Sequence, residues 1–402
     1  SSLALQDSFD TTGNDNANDV FVLDDYSYVG TDDDFHVFDV SDPTNITLED
    51  SIDFNFDIND VYVVGDYAYL ATDDNGQELT IVDVSDPTNI FEVSGGTFDT
   101  DSGANALSIW VDGNYAYIGT ANNNGGHSVC TNAELYVIDI STPNNPICVG
   151  SYNVTQATWA IEVSGNYAYL ATQDAGREFL VLDISNIGSI TEADSADIPT
   201  GYGIYLDGTS AYVATGDGGG NADMYVYDIS TPTSISLSGS LDTGDTNRDV
   251  WVSGNYAYLA TDHNTEGFAL LDVSNPASIT QVTQYNTNSD CNGMHFDGAN
   301  VHVVCEDNSV EYVILAASSS ATNYGYEGWF TSEEYDSNSS DVRWEELYWS
   351  ESGTGEIELQ LRTAPDNGGS PGVWTDWLGP TSSTDYYIDP LGGAAIHTTH
   401  TD

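Results

Sequence analysis

A two-part pattern recurs along this chain from the N-terminus to about residue 315, and repetition at that period constrains the fold more than any other feature. The first part is a strand, a tight turn and a second strand. Its cleanest copies are Val63-Val-Gly-Asp-Tyr-Ala-Tyr-Leu-Ala-Thr72, Val111-Asp-Gly-Asn-Tyr-Ala-Tyr-Ile-Gly-Thr120, Val163-Ser-Gly-Asn-Tyr-Ala-Tyr-Leu-Ala-Thr172 and Val252-Ser-Gly-Asn-Tyr-Ala-Tyr-Leu-Ala-Thr261. Diverged copies run from Leu23 to Thr31, Leu206 to Thr215 and Phe296 to Cys305. The Gly-Asn or Asp-Gly pair supplies the positive φ of a tight hairpin, and the flanking alternation gives each strand two faces.

The second part is an apolar strand ending in an acidic turn: Phe38-Asp-Val-Ser-Asp-Pro43, Val82-Asp-Val-Ser-Asp-Pro87, Ile138-Asp-Ile-Ser-Thr-Pro143, Leu182-Asp-Ile-Ser185, Tyr227-Asp-Ile-Ser-Thr-Pro232 and Leu271-Asp-Val-Ser-Asn-Pro276. A seventh copy, Tyr312-Val-Ile-Leu315, lacks the Asp. The Asp positions are 44, 56, 44, 45 and 44 residues apart, close to the roughly 40 to 50 residues of one four-stranded propeller blade. The long step contains an insertion, Ala121 to Asn132. Leu79-Thr-Ile-Val-Asp83 and Phe179-Leu-Val-Leu-Asp183 resemble the LVIVD-repeat family. Over residues 1–315 the resemblance implies a seven-bladed β-propeller of the kind found in bacterial or archaeal surface proteins, with no shared catalytic motif.

The ends of the repeat array carry a further expectation. Each apolar strand is followed by a polar outer strand, such as Phe91-Glu-Val-Ser-Gly-Gly-Thr-Phe-Asp-Thr100, but the seventh runs into Ala316-Ala-Ser-Ser-Ser. Leu3-Ala-Leu-Gln-Asp-Ser-Phe-Asp-Thr11 has the missing pattern, so the N-terminal strand is expected to complete the last blade and remove the open edges.

Residues 316–323 read as a small-residue linker, after which the repeat disappears. Five of the eight Trp follow it: Trp329, Trp344, Trp349, Trp374 and Trp377. Val342-Arg-Trp-Glu-Glu-Leu-Tyr-Trp349 and Ile357-Glu-Leu-Gln-Leu-Arg362 alternate, which predicts a small antiparallel, jelly-roll-like β-sandwich over 324–402. It resembles the modules appended to many bacterial surface proteins. The tail Ala394-Ala-Ile-His-Thr-Thr-His-Thr-Asp402 shows no obvious final core strand, which suits a truncated module or one completed by another subunit.

Composition narrows the partners. The 402 residues hold 65 acids against 4 basic side chains, a formal charge of −61, and the only cations besides His are Arg177, Arg248, Arg343 and Arg362. Phosphate neutralisation needs Lys or Arg, so nucleic acids and anionic membrane surfaces are expected to be poor partners. No apolar run approaches the roughly 18 residues of a membrane span. With 26 Tyr, 12 Phe and 8 Trp the chain can still bury a large core. Self-repulsion at this charge suits saline or calcium-containing surroundings. Cys130 with Cys148 and Cys291 with Cys305 form two local pairs suited to disulfides in an oxidising compartment, four buried thiols being the alternative. Asn45, Asn153 and Asn338 head glycosylation acceptor patterns.

Counting seven residues back from each hairpin Tyr or its equivalent gives Asp19, Asp60, Ser108, Ala160, Gly203, Asp249 and Gly293. With Asn18, Asn59, Trp159, Tyr202, Arg248 and Asn292 they are expected to ring one mouth of the central channel. A cation or sugar among those carboxylates and aromatics is weighed there against a merely solvated mouth. The Asp of each acidic turn recurs once per blade, which favours backbone capping over chemistry. Calcium is the one cofactor suggested, at the loops holding Asp32, Asp33 and Asp34, Asp73 and Asp74, and Asp217 and Asp223, although none matches the EF-hand pattern.

No nucleophile elbow, phosphate loop, zinc motif or Cys–His pairing is found, and the seven His are scattered. The expectation is a non-enzymatic extracellular or cell-surface protein, structural or adhesive, self-assembling or joining other surface proteins, as in a filament. The alternative is a secreted carbohydrate-binding protein or polysaccharide-active enzyme that contacts sugar rings through Trp159, Tyr202 and the nearby acids at the channel mouth, or through the C-terminal Trp residues. A periplasmic sensor is a third reading, since the fold serves many functions.

Overall fold

The computed structural model describes residues 3–316 apart from 12–14, 75, 101–102, 122–129, 131–132, 217–219, 264–266 and 307–309, together with 346–347 and 394–395. The chain divides into two compact units, Ser1–Gly325 and Tyr326–Asp402.

In the first unit each repeat folds into a four-stranded antiparallel meander, giving seven blades. Blade 1 comprises Ala17–Leu23, Tyr26–Thr31, Asp34–Asp39 and Thr47–Asp53, running from the innermost strand outward. Innermost strands of blades 2 to 6 are Ile58–Val64, Ala106–Asp112, Thr158–Ser164, Gly201–Asp207 and Thr246–Ser253. Blade 7 takes Cys291–Phe296, Asn300–Cys305 and Tyr312–Ala316 from one end of the repeat array and Ala4–Phe9 from the other. That last pairing is antiparallel, from Ala4 opposite Ala316 to Phe9 opposite Tyr312, so the N-terminal strand closes the ring as expected.

The second and third strands of a blade are covered on both faces by neighbouring blades. Tyr67–Thr72 and Leu79–Asp83 are therefore near-continuous buried runs, whereas the outer strand Thr47–Asp53 is largely exposed. Seven apolar clusters fill the seven blade interfaces; one packs Tyr28, Phe35 and Val37 of blade 1 against Ile58, Val61 and Leu70 of blade 2. Truncating one such residue, as in Leu79→Ala, would cost about 2–5 kcal/mol. The first hairpin turns need left-handed backbone, which Gly65 (φ 59°) and its equivalents supply; blade 1 places Asp24 there instead (φ 54°). In the acidic turns Asp39, Asp83 and Asp272 each accept bonds from the N–H and Oγ–H of the Ser two residues on, which for Asp39 and Asp272 holds the carboxyl below the ordinary range. These recurrent acids cap turns.

In the second unit, Glu346–Leu347 pairs antiparallel with Ala394–Ala395. The remaining strands expected of a β-sandwich, the five Trp and Asn338 lie outside the described residues. No helix among the described residues is long and apolar enough to cross a membrane.

Candidate functional site in the central channel

Every innermost strand carries a β-bulge at the same place, between Ala17 and Asp19 in blade 1 and at the equivalent step in the other six. A bulge bends the strand and re-aims its side chains. Here it presents two successive layers to the channel, the bulged residue and the one after it, and alternation adds a third layer two residues further on. The three layers line a cavity of about 270 Å³.

At the mouth the bulged residues split into two arcs. Asn18, Asn59 and Asn292 each donate to a carbonyl at the start of the next blade's innermost strand, Ile58, Ala106 and Ala17 at 3.2, 2.7 and 3.2 Å. Across from them, Trp159 meets Tyr202 edge-to-face at 5.4 Å and Arg248 lies over the Tyr202 ring at 5.4 Å while pairing with Asp262 at 2.7 Å. Trp159 Nε1 and Arg248 Nε are buried without a hydrogen-bond partner among the described residues.

Asp19, Asp60 and Asp249, expected at the mouth, form the second layer and line the cavity. Their carboxylates also act as latches between blades. Asp19 accepts the Val61 N–H (3.0 Å), Asp60 that of Ile109 (2.7 Å) and Asp249 that of Met294 (3.0 Å), each in the following blade. Ser108 makes the same crossing by donating to the Thr158 carbonyl at 3.2 Å. At Gly203 and Gly293 the next blade approaches closely: a Cβ would lie 2.8 Å from Asp249 Cα and 2.7 Å from Asp19 Oδ1 respectively. The three Asp are half-buried because the channel is open, yet protein surrounds them. Desolvation pushes Asp60 up to about 6 and Asp249 up to about 7, the latter helped by the charge of Asp19. Asp19 rises well above the usual range through burial and then through the charge of the neighbouring Asp60 carboxyl.

The third layer escapes a reading confined to the mouth. It comprises Phe21, Tyr62, Trp110, Glu162, Tyr205, Trp251 and His295, all facing the same cavity. Its signal is period-two alternation, two residues beyond each position already aligned. Glu162 reaches the Leu206 N–H in blade 5 at 3.0 Å, and burial raises its carboxyl well above the ordinary range.

The loops expected to hold calcium use their acids internally. Asp32 accepts from Asn16 and Asn18, Asp73 from the Asp57 N–H and Asp74 from the Gly76 N–H. Asp33 is exposed and Asp34 half-buried. Asp223 is buried and accepts the Thr243 and Gly244 N–H groups, so it fastens blade 5. Asp217 lies outside the described residues, among which no group of three or more His, Cys, Asp or Glu is placed to hold a metal. Both cysteine pairs are disulfides, Cys130–Cys148 and Cys291–Cys305. Asn45 and Asn153 are exposed.

Solved structures with the same fold include the Cps50 (Swd1) β-propeller domain of Myceliophteria thermophila, at TM-score 0.57 and 14% identity, covering 79% of this chain and 100% of that one. The Neurospora crassa Pan2 WD40 domain aligns at TM-score 0.55 and 10% identity over 79% and 96% of the two chains. The computationally designed Ika8 protein aligns at 0.53 and 13% over 77% and 99%. At such identities the likeness is one of fold alone. A comparison with curated proteins finds no matching sequence. The LVIVD repeat matches residues 15–53, 57–100, 103–125, 128–154, 157–197, 202–243 and 244–287, which are blades 1 to 6 with blade 3 in two segments. With that repeat spanning more than half of its length, in phase with the observed blades, the chain belongs to the LVIVD-repeat family.

Proposed function

We propose that this is an extracellular, cell-surface structural or adhesive protein acting by binding and assembly without catalysis, as a rigid propeller displayed on a surface or built into a filament. The observation that carries the reading is the use of its acids. Side chains that would otherwise be candidates for chemistry are committed to backbone amides of the next blade, in the channel and again at the rim, where Asp7, Asp50 and Asp194 accept the N–H groups of Ile46, Ile90 and Ile235 at 2.8, 3.0 and 2.8 Å. Such latches stiffen a ring. Two disulfides fit a non-cytoplasmic protein. A net charge of −61 leaves acidic faces that divalent cations can bridge between subunits.

Light scattering and electron microscopy in millimolar calcium, then in excess chelator, test the reading. Ordered polymers that disperse on chelation support it; a monomer indifferent to calcium overturns the cation-bridged version. Glycan binding at the mouth is the second reading, supported by the Trp159–Tyr202 pair and the unpartnered Trp159 Nε1. A glycan array with the parent and Trp159→Ala decides it.

A further inference from the structure

Six of the seven third-layer residues are aromatic or imidazole rings in an unbroken arc. Trp110 meets Tyr62 at 5.1 Å, Tyr62 meets Phe21 at 5.0 Å and Phe21 meets His295 at 4.8 Å. From there His295 meets Trp251 at 4.4 Å and Trp251 meets Tyr205 at 4.7 Å. The arc opens only at blade 4, where Glu162 stands. Glu162 is 8% exposed; one of its oxygens accepts the Leu206 N–H and the other has no hydrogen-bond partner among the described residues. His295 is 9% exposed, lines the cavity and makes no hydrogen bond among those residues. A tightly built channel thus keeps an unpartnered carboxylate oxygen and an unpartnered imidazole facing its cavity.

We propose that the cavity binds an organic cation, a substituted ammonium group held by the aromatic arc and Glu162. A carboxylate without a compensating partner is costly away from water, and a cation removes that cost. Ring faces carry negative quadrupole charge and attract weakly hydrated ammonium groups. A hard metal ion fits less well, because oxygens of Asp19, Asp60 and Asp249 already accept backbone N–H groups and the arc offers carbon faces in place of oxygen ligands. An anion fits worse still: Arg248 is the one basic side chain lining the cavity besides His295, and it sits at the mouth paired with Asp262. A volume of about 270 Å³ admits a trimethylammonium head group. The inference is independent of the surface role, since neither assembly nor glycan binding at the mouth requires this layer.

The test titrates choline and tetramethylammonium into the full chain by calorimetry, with fluorescence of Trp110 and Trp251 as a second readout. It is run in about 0.5 M NaCl so that attraction to the acidic surface is screened. Saturable one-to-one binding is expected, with 3,3-dimethyl-1-butanol, the uncharged analogue of choline, at least tenfold weaker. Glu162→Gln keeps an acceptor for the Leu206 N–H and should weaken choline binding at least tenfold. Trp251→Leu should do the same by removing one ring, and stands in if the first variant does not fold. The proposal is overturned by absence of saturable binding, by equal affinity for the neutral analogue, by unchanged affinity in both variants, or by calcium displacing choline competitively.

Discussion

Glu311 accepts a hydrogen bond from the backbone N–H of Thr11 at 2.9 Å, across 300 residues of chain. The same clip works inside other blades, where Glu78 accepts from Thr100 (2.9 Å), Glu134 from Val154 (3.0 Å) and Glu178 from Ile198 (3.2 Å). In blade 7 it spans the chain because the outer strand comes from the N-terminus, so the ring closes with a device that the other blades use locally.

Removing that clip should open the ring first. Glu311→Ala leaves the buried Thr11 N–H without this acceptor and is expected to lower stability by about 1–3 kcal/mol in urea titrations. Deleting residues 1–10 uncovers the edge of Tyr312–Ala316 and should produce association visible by size-exclusion chromatography.

Stability should fall as pH rises through neutrality. The cavity presents Asp19, Asp60, Asp249, Glu162, His295 and Arg248. Acids raised in the fold take up protons more readily than in the unfolded chain, so their contribution is fully present below about pH 4 and is lost as pH climbs through about 6 for Asp60 and about 7 for Asp249. His36, lowered to about 4, and His295, lowered to about 3, act oppositely, because their contribution is lost as pH falls below about 6.5. A maximum in melting temperature on the mildly acidic side follows. Asp249→Asn should gain about 1–3 kcal/mol over the parent at about pH 8, with the gain shrinking toward zero by about pH 4. A pH-independent difference would contradict this.

Two glycines separate close packing from backbone strain. Gly203→Ala places a Cβ 2.8 Å from Asp249 Cα and 2.9 Å from the Arg248 carbonyl oxygen, both backbone atoms, and should lose about 1–3 kcal/mol while disturbing the cavity. Gly65→Ala meets no atom but must hold φ near 59°, so a loss of about 1 kcal/mol with an intact cavity is expected. Denaturant midpoints for both variants check the order.

Reduction should matter despite the large core. The disulfides close loops of 18 and 14 residues, for which about 2–4 kcal/mol each is the usual stabilisation. Melting with and without a reductant, and of each paired Cys→Ser variant, measures it.

What was legible in the sequence is what local physics controls. The hairpin at Gly65, the cap at Asp39 and the alternation of Leu79-Thr-Ile-Val-Asp83 are set by neighbours a few residues away, so their recurrence gives the blade, the blade count and the missing strand at Leu3–Thr11. Cys130 with Cys148 and Cys291 with Cys305 were legible because each pair lies within a single blade, 18 and 14 residues apart. Only the tertiary structure decides what residues some 20 or more positions apart do to one another. Asp19 and Val61 meet because a bulge turns one innermost strand toward the next, and Asp223 is a clip because its loop folds onto Thr243. Phe21, Tyr62, Trp110, Tyr205, Trp251 and His295 become one arc around Glu162 only once seven innermost strands are drawn around a common axis, since alternation gives a side chain its face but not its depth or its neighbour across a closed ring.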